Sequence, residues 1–599
     1  MVLNIGKSLT IIPLHPLKFP QAVVTMKLVN PSYQRKLRYP LIISLTLAVL
    51  VIFAACDLAP ASLPGSADRR IPPLTLLTNT ESYDPVRYHA AHQIAAWWRE
   101  LGFEVEVIPM EFNELTYAVR NFDPEEKDWD AFTMSWTGRV ERADPDMFIY
   151  SIAHSSQAGI MGNNYCEYRN EAYDALAEAQ RRVMNPDVRR EVVYAAQEKL
   201  AKDVPYVTLF YRRVVQAYRQ DRWENMTAMA GEGLYHEWLP FHARPIDRQP
   251  LDEEPMRLVI ASNQEPSSLN PLTASTVWEW KLLRLMYDKL ARVNQYFQPK
   301  PWAARDIRQV NDITIDVILR EGMTFHDGQP VRPEDVVFTY NMMRERGVTY
   351  FAAFLDPIKE VVLLPDRTIR FRLKEPYAAF ITMTLAQIPI LPEHLWSEFL
   401  HEYEIAAPAT PGASENVPVP LVGSGPLFFE TWDHGKQITF RKDPHYFAAD
   451  DVALDELVYS LYPDTESLMQ ALLSGEADMT GVNLEPDQLP VAEAFAEIQV
   501  IQVPDLGFHY LGFNCSRPPF DDPVMRQAAA MAMDLEHLVS QYLNGMGDVG
   551  GAGQPISTGN VFWKNPTVTQ YPFDITKARE MLQEAGYTWD EQDRICWKE

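Results

Sequence analysis

The sequence predicts an α/β protein, and three stretches carry that expectation. Residues 74–110 read strand, helix, strand; residues 185–211 read helix, strand; and from residue 256 many alternating strands and short helices run to the C-terminus. Strands interleaved with helices bury their apolar faces by stacking the helices on a sheet.

In the first stretch TLLTN is the strand, and Asp84 followed by Pro85 opens the helix. Aspartate accepts from first-turn amides, and proline lacks an N–H that would go unpaired there. Ile94, Trp97, Trp98 and Leu101 share one helical face, Gly102 stops the helix, and FEVEVIPM at 103–110 alternates with the period of a strand. Asn185 and Pro186 open a second helix to about Leu200, followed by the strand VPYVTLFY at 204–211. RLVIAS, just after Met256, begins the third stretch. The chain closes on a helix capped by Asp574, with Ala578, Met581, Leu582 and Ala585 on one face and Gly586 at its end.

Composition narrows the function classes. With 599 residues, 47% of them hydrophobic, the chain is long enough for more than one full core. A formal charge of −27, with no basic stripe after residue 40, excludes nucleic acid as a partner, because phosphate binding draws on clustered Lys and Arg. Cys56, Cys166, Cys515 and Cys596 are widely spaced with no C-x-x-C, so neither a zinc site nor a disulfide framework is encoded. The last three read most simply as buried or half-buried thiols.

Lys27, Arg35, Lys36 and Arg38 precede the apolar run LIISLTLAVLVIFAA at 41–55. That run is shorter than the roughly 20 residues a spanning helix needs, so residues 1–56 read as a signal peptide. FAAC at 53–56 resembles a bacterial lipobox, which makes Cys56 the lipidated residue; Phe53 departs from the usual aliphatic residue, and a non-cleaved anchor helix is the alternative. Residues 57–71, rich in Pro, Ala and Ser, read as a flexible tether. IDRQPLDEEP at 246–255 reads as a linker between two regions, 72–245 and 256–599.

Several motifs fail on context. Gly545 to Gly550 fits G-x-G-x-x-G but follows a helix rather than a strand, and Gly423-Ser424-Gly425-Pro426 has neither P-loop nor nucleophile-elbow spacing. His89 and His92 lack further metal ligands, and His326-Asp327-Gly328 reads as a turn. No compact catalytic set survives, so an enzyme is not expected.

From Met256 a series of motifs falls in order: PSSLNP, LREGMTFHDGQPVRPEDVVFTY, GSGPLFFETWDHGKQITFRKDPHYF, LLSGEADM and LGFNCSRPPFDDPVMRQAAAMAMD. They resemble the solute-binding proteins of the oligopeptide, dipeptide and nickel ABC importer family. Residues 72–245 resemble the C-terminal portion of the same family, through AAWWRELGFEVEVIPMEF, WDAFTMSWTGRVERADPDMF, EAYDALAEAQRRV and QEKLAKDVPYVTLFY. In the family that portion follows a helix ending in EAGY, which here closes the chain. Read as 256–599 followed by 72–245, the sequence resembles one uninterrupted member, so a circular permutant is expected; halves of two tandem proteins are the alternative.

The resemblance implies a type II periplasmic-binding-protein fold in its large three-subdomain form, two α/β lobes around a hinged cleft. It implies an extracytoplasmic, lipid-anchored monomer that captures a peptide or similar small solute by lobe closure and delivers it to ABC permease subunits, with no cofactor or metal. A ligand sensor, or a receptor for an oligosaccharide or anionic solute, is the alternative. Peptide-binding relatives hold the ligand's amino terminus with an Asp after a Trp-Thr-Gly-like motif; here Trp136-Thr137-Gly138 is followed by Arg139, a cation that suits a carboxylate or phosphate. Arg139 could instead turn outward to Glu141, or Asp144 could take the anionic role. Trp136 could stack on an apolar ligand face. Asn514 matches a position near the cleft in relatives, with a turn amide as its alternative, and Tyr510, Thr276 and Trp278 come from segments facing the cleft in the family.

Overall fold

The central strands form where runs of Leu, Val, Ile and aromatic residues are buried on both faces, and they assemble into a twelve-stranded mixed sheet. The computed structural model describes residues 69–120, 128–159, 162–246, 255–402 and 419–598. The expected signal peptide with Cys56, most of the tether and most of the linker lie outside these residues.

To this sheet the first region supplies four strands, β1 (Leu74–Asn79), β2 (Val105–Met110), β3 (Ala131–Trp136) and β4 (Tyr206–Arg219). The second supplies β5 (Arg257–Ser262), β6 (Ile498–Pro504) and β7 (Phe508–Phe513), among others. β1 lies parallel between β2 and β3, and β3 pairs antiparallel with β7, Phe508 opposite Trp136 and Phe513 opposite Ala131. The first region's strands thus continue directly into a strand of the second.

β4 is the element that joins two wings. Its first half, from Tyr206 to Phe210, pairs with β7, while Arg213 to Arg219 pair with β6. Past β4 the second wing runs through Met479–Thr480, β5, Glu456–Leu461, Gln437–Lys442 and Leu427–Asp433. β6 and β7, consecutive along the chain, therefore cross between the wings alongside β4. The strand expected over 204–211 begins at Tyr206 and is longer than its apolar run, which Arg212 and Arg213 follow. The structure carries it on to Arg219, since those arginines pair with Asp84 and Asp548 at the junction of the wings.

Each wing has its own apolar core. One is built on both faces of the β1–β3 and β7 sheet; the other surrounds β5 and a separate four-stranded antiparallel sheet, in the order Ala304–Asn311, Thr314–Leu319, Ile369–Leu373, Ile358–Leu363. Helix α1 (Pro85–Leu101) is capped by Asp84 and closed by Gly102 at φ 112°, as its sequence predicts. Its inner face meets the second region: Trp98 is fully buried, stacks on Phe513 with ring centroids 6.0 Å apart, and donates from Nε1 to the Ala529 carbonyl at 3.0 Å.

The C-terminal hairpin, Thr588–Trp589 with Ile595–Cys596, docks against the segment before β1 and the end of α1. The Ile71 amide donates to the Ile595 carbonyl at 3.0 Å, the Ile595 amide to the Gly102 carbonyl at 3.0 Å, and the Trp597 amide to the Arg69 carbonyl at 2.7 Å. Residues near 70 and near 597 are neighbours in space.

Candidate functional site

Between the wings lies a cavity of about 420 Å³, the size of an ordinary small-ligand pocket. Asp144, Met184, Pro186 and Arg189 of the first region form one side. The opposite side comes from the turn Tyr296–Lys300, from Gln309 and Ile315 of the four-stranded sheet, and from Phe380, Ile381 and Thr382; Phe562 and Trp563 complete the lining. Phe297, Phe380, Phe562 and Trp563 make the walls largely aromatic. Lys300 stands exposed at this site and pairs with no acidic side chain among the described residues.

Arg189 and Asp144 form the cavity's buried polar floor. The guanidinium grips the carboxylate with both ends, Nη2 to Oδ1 at 2.6 Å and Nη1 to Oδ2 at 2.8 Å, and its Nε donates to the Gln180 carbonyl at 2.9 Å. Burial acts to lower the Arg189 pKa, but the facing Asp144 carboxylate outweighs it and holds the guanidinium above the ordinary arginine value. The guanidinium also lies 4.9 Å from the centre of the Trp563 ring, which fixes that indole against the cavity.

A second polar group ties the wings beside the cavity. Asp146 is fully enclosed, and burial raises its carboxyl above the usual range, against the pull of Arg181 at 3.2 Å. Gln180 donates to it at 2.6 Å, and Tyr377 of the second region reaches it at 3.4 Å. The Ala378 amide donates to the Arg181 carbonyl at 2.6 Å, so backbone as well as side chain crosses from one region to the other.

The residues expected from sequence occupy different places. Asp144 lines the cavity, but Arg189 takes both of its oxygens, so it cannot offer the free anionic group expected of it; the reason is charge neutralisation in a buried site. Asn514 is wholly buried, its amide donating to the Trp129 carbonyl at 3.0 Å while its oxygen accepts from the Ser516 amide and hydroxyl. Tyr510 sits 4% exposed among Phe132, Tyr206 and Phe508. Thr276 caps the helix Val277–Met286 in a reciprocal capping box with Glu279, and Trp278 packs half-buried against the cluster of Ala261, Leu468, Ala471, Ala477 and Val482.

Trp136 ends β3 and Arg139 follows three residues later; neither is among the residues lining the cavity. Trp136 stacks on Tyr165 at 5.9 Å, and the Arg142 guanidinium lies over its ring at 5.4 Å, so its faces are engaged by the protein's own groups. Arg139 is half-buried; its Nε has no hydrogen-bond partner, and it pairs with no acidic group among the described residues. The backbone before it is pinned to the β6–β7 turn: a Cβ on Gly138 would fall 1.5 Å from Asp505 Oδ1, and one on Gly507 would fall 2.1 Å from the Trp136 carbonyl. Only glycine permits that approach.

Arg189 and Trp563 did not emerge from sequence reasoning as site residues. Arg189 had a visible signal, since it falls on the stripe it shares with Val193, Ala196 and Leu200, where an apolar residue belongs. Trp563 follows Phe562 in a loop rich in Gly, Asn and Pro, and nothing local shows that the loop reaches the cavity. The rejected motifs are structural: the Gly423 amide donates to His326 Nδ1 at 3.1 Å while His326 Nε2 faces the Gly425 carbonyl at 3.0 Å, joining the two turns. Among the described residues no group of three or more His, Cys, Asp or Glu is placed to hold a metal ion, and no helix is long and apolar enough to cross a membrane.

The family model for bacterial extracellular solute-binding proteins, family 5 (middle), matches residues 298–596. The oligopeptide-binding protein AppA of Bacillus subtilis is 29% identical over 349 residues, which cover 57% of this chain and 61% of that protein. Di/tripeptide-binding protein 3 of Pseudomonas aeruginosa is 25% identical over 359 residues, covering 56% and 65%. The solved structure of Bacillus subtilis AppA in complex with a nonapeptide is 26% identical and superposes with a TM-score of 0.41 over 58% of this chain and 68% of that one. The chain spans about three-fifths of the length of the curated relatives it matches.

Proposed function

Because the chain belongs to family 5 of the bacterial extracellular solute-binding proteins, we propose that it is the extracytoplasmic receptor of an ABC importer, holding a peptide or similar small solute between its two wings and presenting it to membrane permease subunits. The observation that carries this reading is the interlobe cavity, whose walls come from both wings while β4, β6 and β7 run between them. A ligand that touches both walls binds the closed arrangement better than the open one, and only that difference in affinity shifts the population. The aromatic walls take apolar groups, and Lys300 takes a negatively charged end. Cys56 is the proposed lipid attachment, tethering the receptor, itself proposed to be a monomer, to the outer face of the membrane.

The test is native mass spectrometry of the purified protein with its co-purified solute, followed by titration of that solute against Trp563→Ala. Loss of at least tenfold in affinity, about 1.4 kcal/mol, with the fold retained, is the expected result. Unchanged affinity removes the cavity from the binding site, and covalent turnover of the solute defeats the receptor reading.

A second reading, an anionic solute, has one observation in its favour: the half-buried Arg139 guanidinium has an unused N–H and no acidic partner among the described residues. Arg139→Asp is expected to weaken binding of a carboxylate-bearing solute by tenfold or more, read by calorimetric titration. Equal binding by the variant excludes Arg139 from recognition.

The chain order is proposed to be a circular permutation, 256–599 standing ahead of 72–245 in the family's order. The antiparallel pairing of β3 with β7 and the contacts of Ile71 and Arg69 with Ile595 and Trp597 support it, because the two regions share one sheet rather than forming separate halves.

A further inference from the structure

We propose that Cys166 and Cys515 are joined by a disulfide in the mature protein, cross-linking the first region of the chain to the second. The inference rests on the extracytoplasmic location proposed above, since structural disulfides persist in oxidising compartments.

Both thiols are free in this structure. Cys166 follows Tyr165 in the loop beyond β3, and Cys515 lies two residues past the end of β7. The Cys515 amide donates to the Cys166 carbonyl at 2.9 Å. A backbone bond of that length puts the two residues' main chains in direct contact, and the Cα atoms of a disulfide lie roughly 4.4–6.8 Å apart.

The sulfurs lie against the same short stretch. A Cβ built on Gly512 would fall 2.9 Å from Cys166 Sγ, so the sulfur occupies the space that this glycine leaves. Cys515 Sγ lies 3.8 Å from the Phe513 carbonyl. Burial, and next the neighbouring Cys515 sulfur, push the Cys166 thiol well above its ordinary value, as expected for two sulfurs held close in an apolar setting. Cys596 sits elsewhere, in the C-terminal hairpin, with its sulfur 3.7 Å from the Arg594 carbonyl, and remains a thiol.

The chemistry is exchange with a disulfide-bearing donor, either a thiol oxidoreductase or a small-molecule disulfide. One cysteine thiolate attacks the donor, forms a mixed disulfide and releases one donor thiolate. The second cysteine thiolate attacks the protein sulfur of that mixed disulfide, forming the Cys166–Cys515 bond and releasing the second donor thiolate. Two protein thiols give up two protons and two electrons, and the donor disulfide becomes two thiols. Burial holds both cysteines in the unreactive thiol form once the core has closed, so the exchange takes place while the chain folds.

The full chain is tested in two arms, each read by peptide mass spectrometry without reduction after iodoacetamide alkylation under denaturing conditions. In the first, protein is refolded in mixed oxidised and reduced glutathione; in the second, it is alkylated as it is isolated from cells that export it. A Cys166–Cys515 linked peptide in both arms, with Cys596 alkylated, is the expected result. Alkylated Cys166 and Cys515 in the glutathione arm, or linkage of either to Cys596, overturns the pairing. Linkage with glutathione but free thiols in the cellular protein overturns the disulfide as a feature of the mature molecule, and counts against the extracytoplasmic reading rather than the geometry. As a second measurement, the melting temperature of the wild type falls on reduction, whereas that of Cys166→Ser/Cys515→Ser does not move; an equal response in the two proteins rejects the cross-link.

Discussion

Arg189→Met is expected to cost about 3–5 kcal/mol of folding stability, the penalty of leaving a buried carboxylate without its partner. Asp144 is 3% exposed and receives two of the guanidinium's N–H groups. Without them its charge faces an aromatic cavity, with the Asp146 amide as its remaining hydrogen-bond donor. Denaturant unfolding followed by intrinsic fluorescence measures the loss. The double variant Arg189→Met/Asp144→Leu is expected to recover most of it, because an apolar pair of similar bulk replaces a buried ion pair at little net cost. Recovery stays incomplete, since Asp144 Oδ1 also accepts from the Asp146 amide at 2.9 Å. If the single variant matches the wild type, the ion pair is not the buried support described for Trp563.

Trp98→Ala is expected to cost a further 3–5 kcal/mol, about what truncating a fully enclosed indole removes in transfer energy and cavity formation. The informative readout is where the damage falls. Trp98 belongs to the first region, yet its ring lies against Phe513 and Phe520 and its N–H bonds Ala529, all in the second. Hydrogen exchange should therefore speed up together in residues 85–101 and 513–531, as in one cooperative unit. Loss of protection in the first stretch alone would show two independently stable regions and would count against the permuted single fold.

Local signals made much of the architecture legible before any contact was known. Asp84-Pro85 and Gly102 delimit α1 because capping depends on residues adjacent in sequence. Asp574 caps the last helix for the same reason, and Ala578 and Leu582 face inward. The end of β4 was hidden: two arginines look like a strand terminus until their acidic partners, 128 and 335 residues away, are brought alongside. The site was less legible than the fold. Asp144 reads as an available carboxylate because its sequence neighbours give no hint of Arg189, 45 residues on. Asn514 and Thr276, both polar residues beside regular elements, turn out to satisfy the backbone around them.

The α/β class, the ends of the capped helices and the ordered motifs of residues 256–599 are legible in the sequence alone, because each of these rests on residues close together in the chain. Only the tertiary structure decided that β3 pairs with β7, that β4 continues from one wing into the other, that Arg189 neutralises Asp144 and that Trp563 lines the cavity between the wings. Those outcomes rest on contacts between residues far apart in sequence, where charge pairing and the filling of a shared core select the partner and no local pattern records the choice.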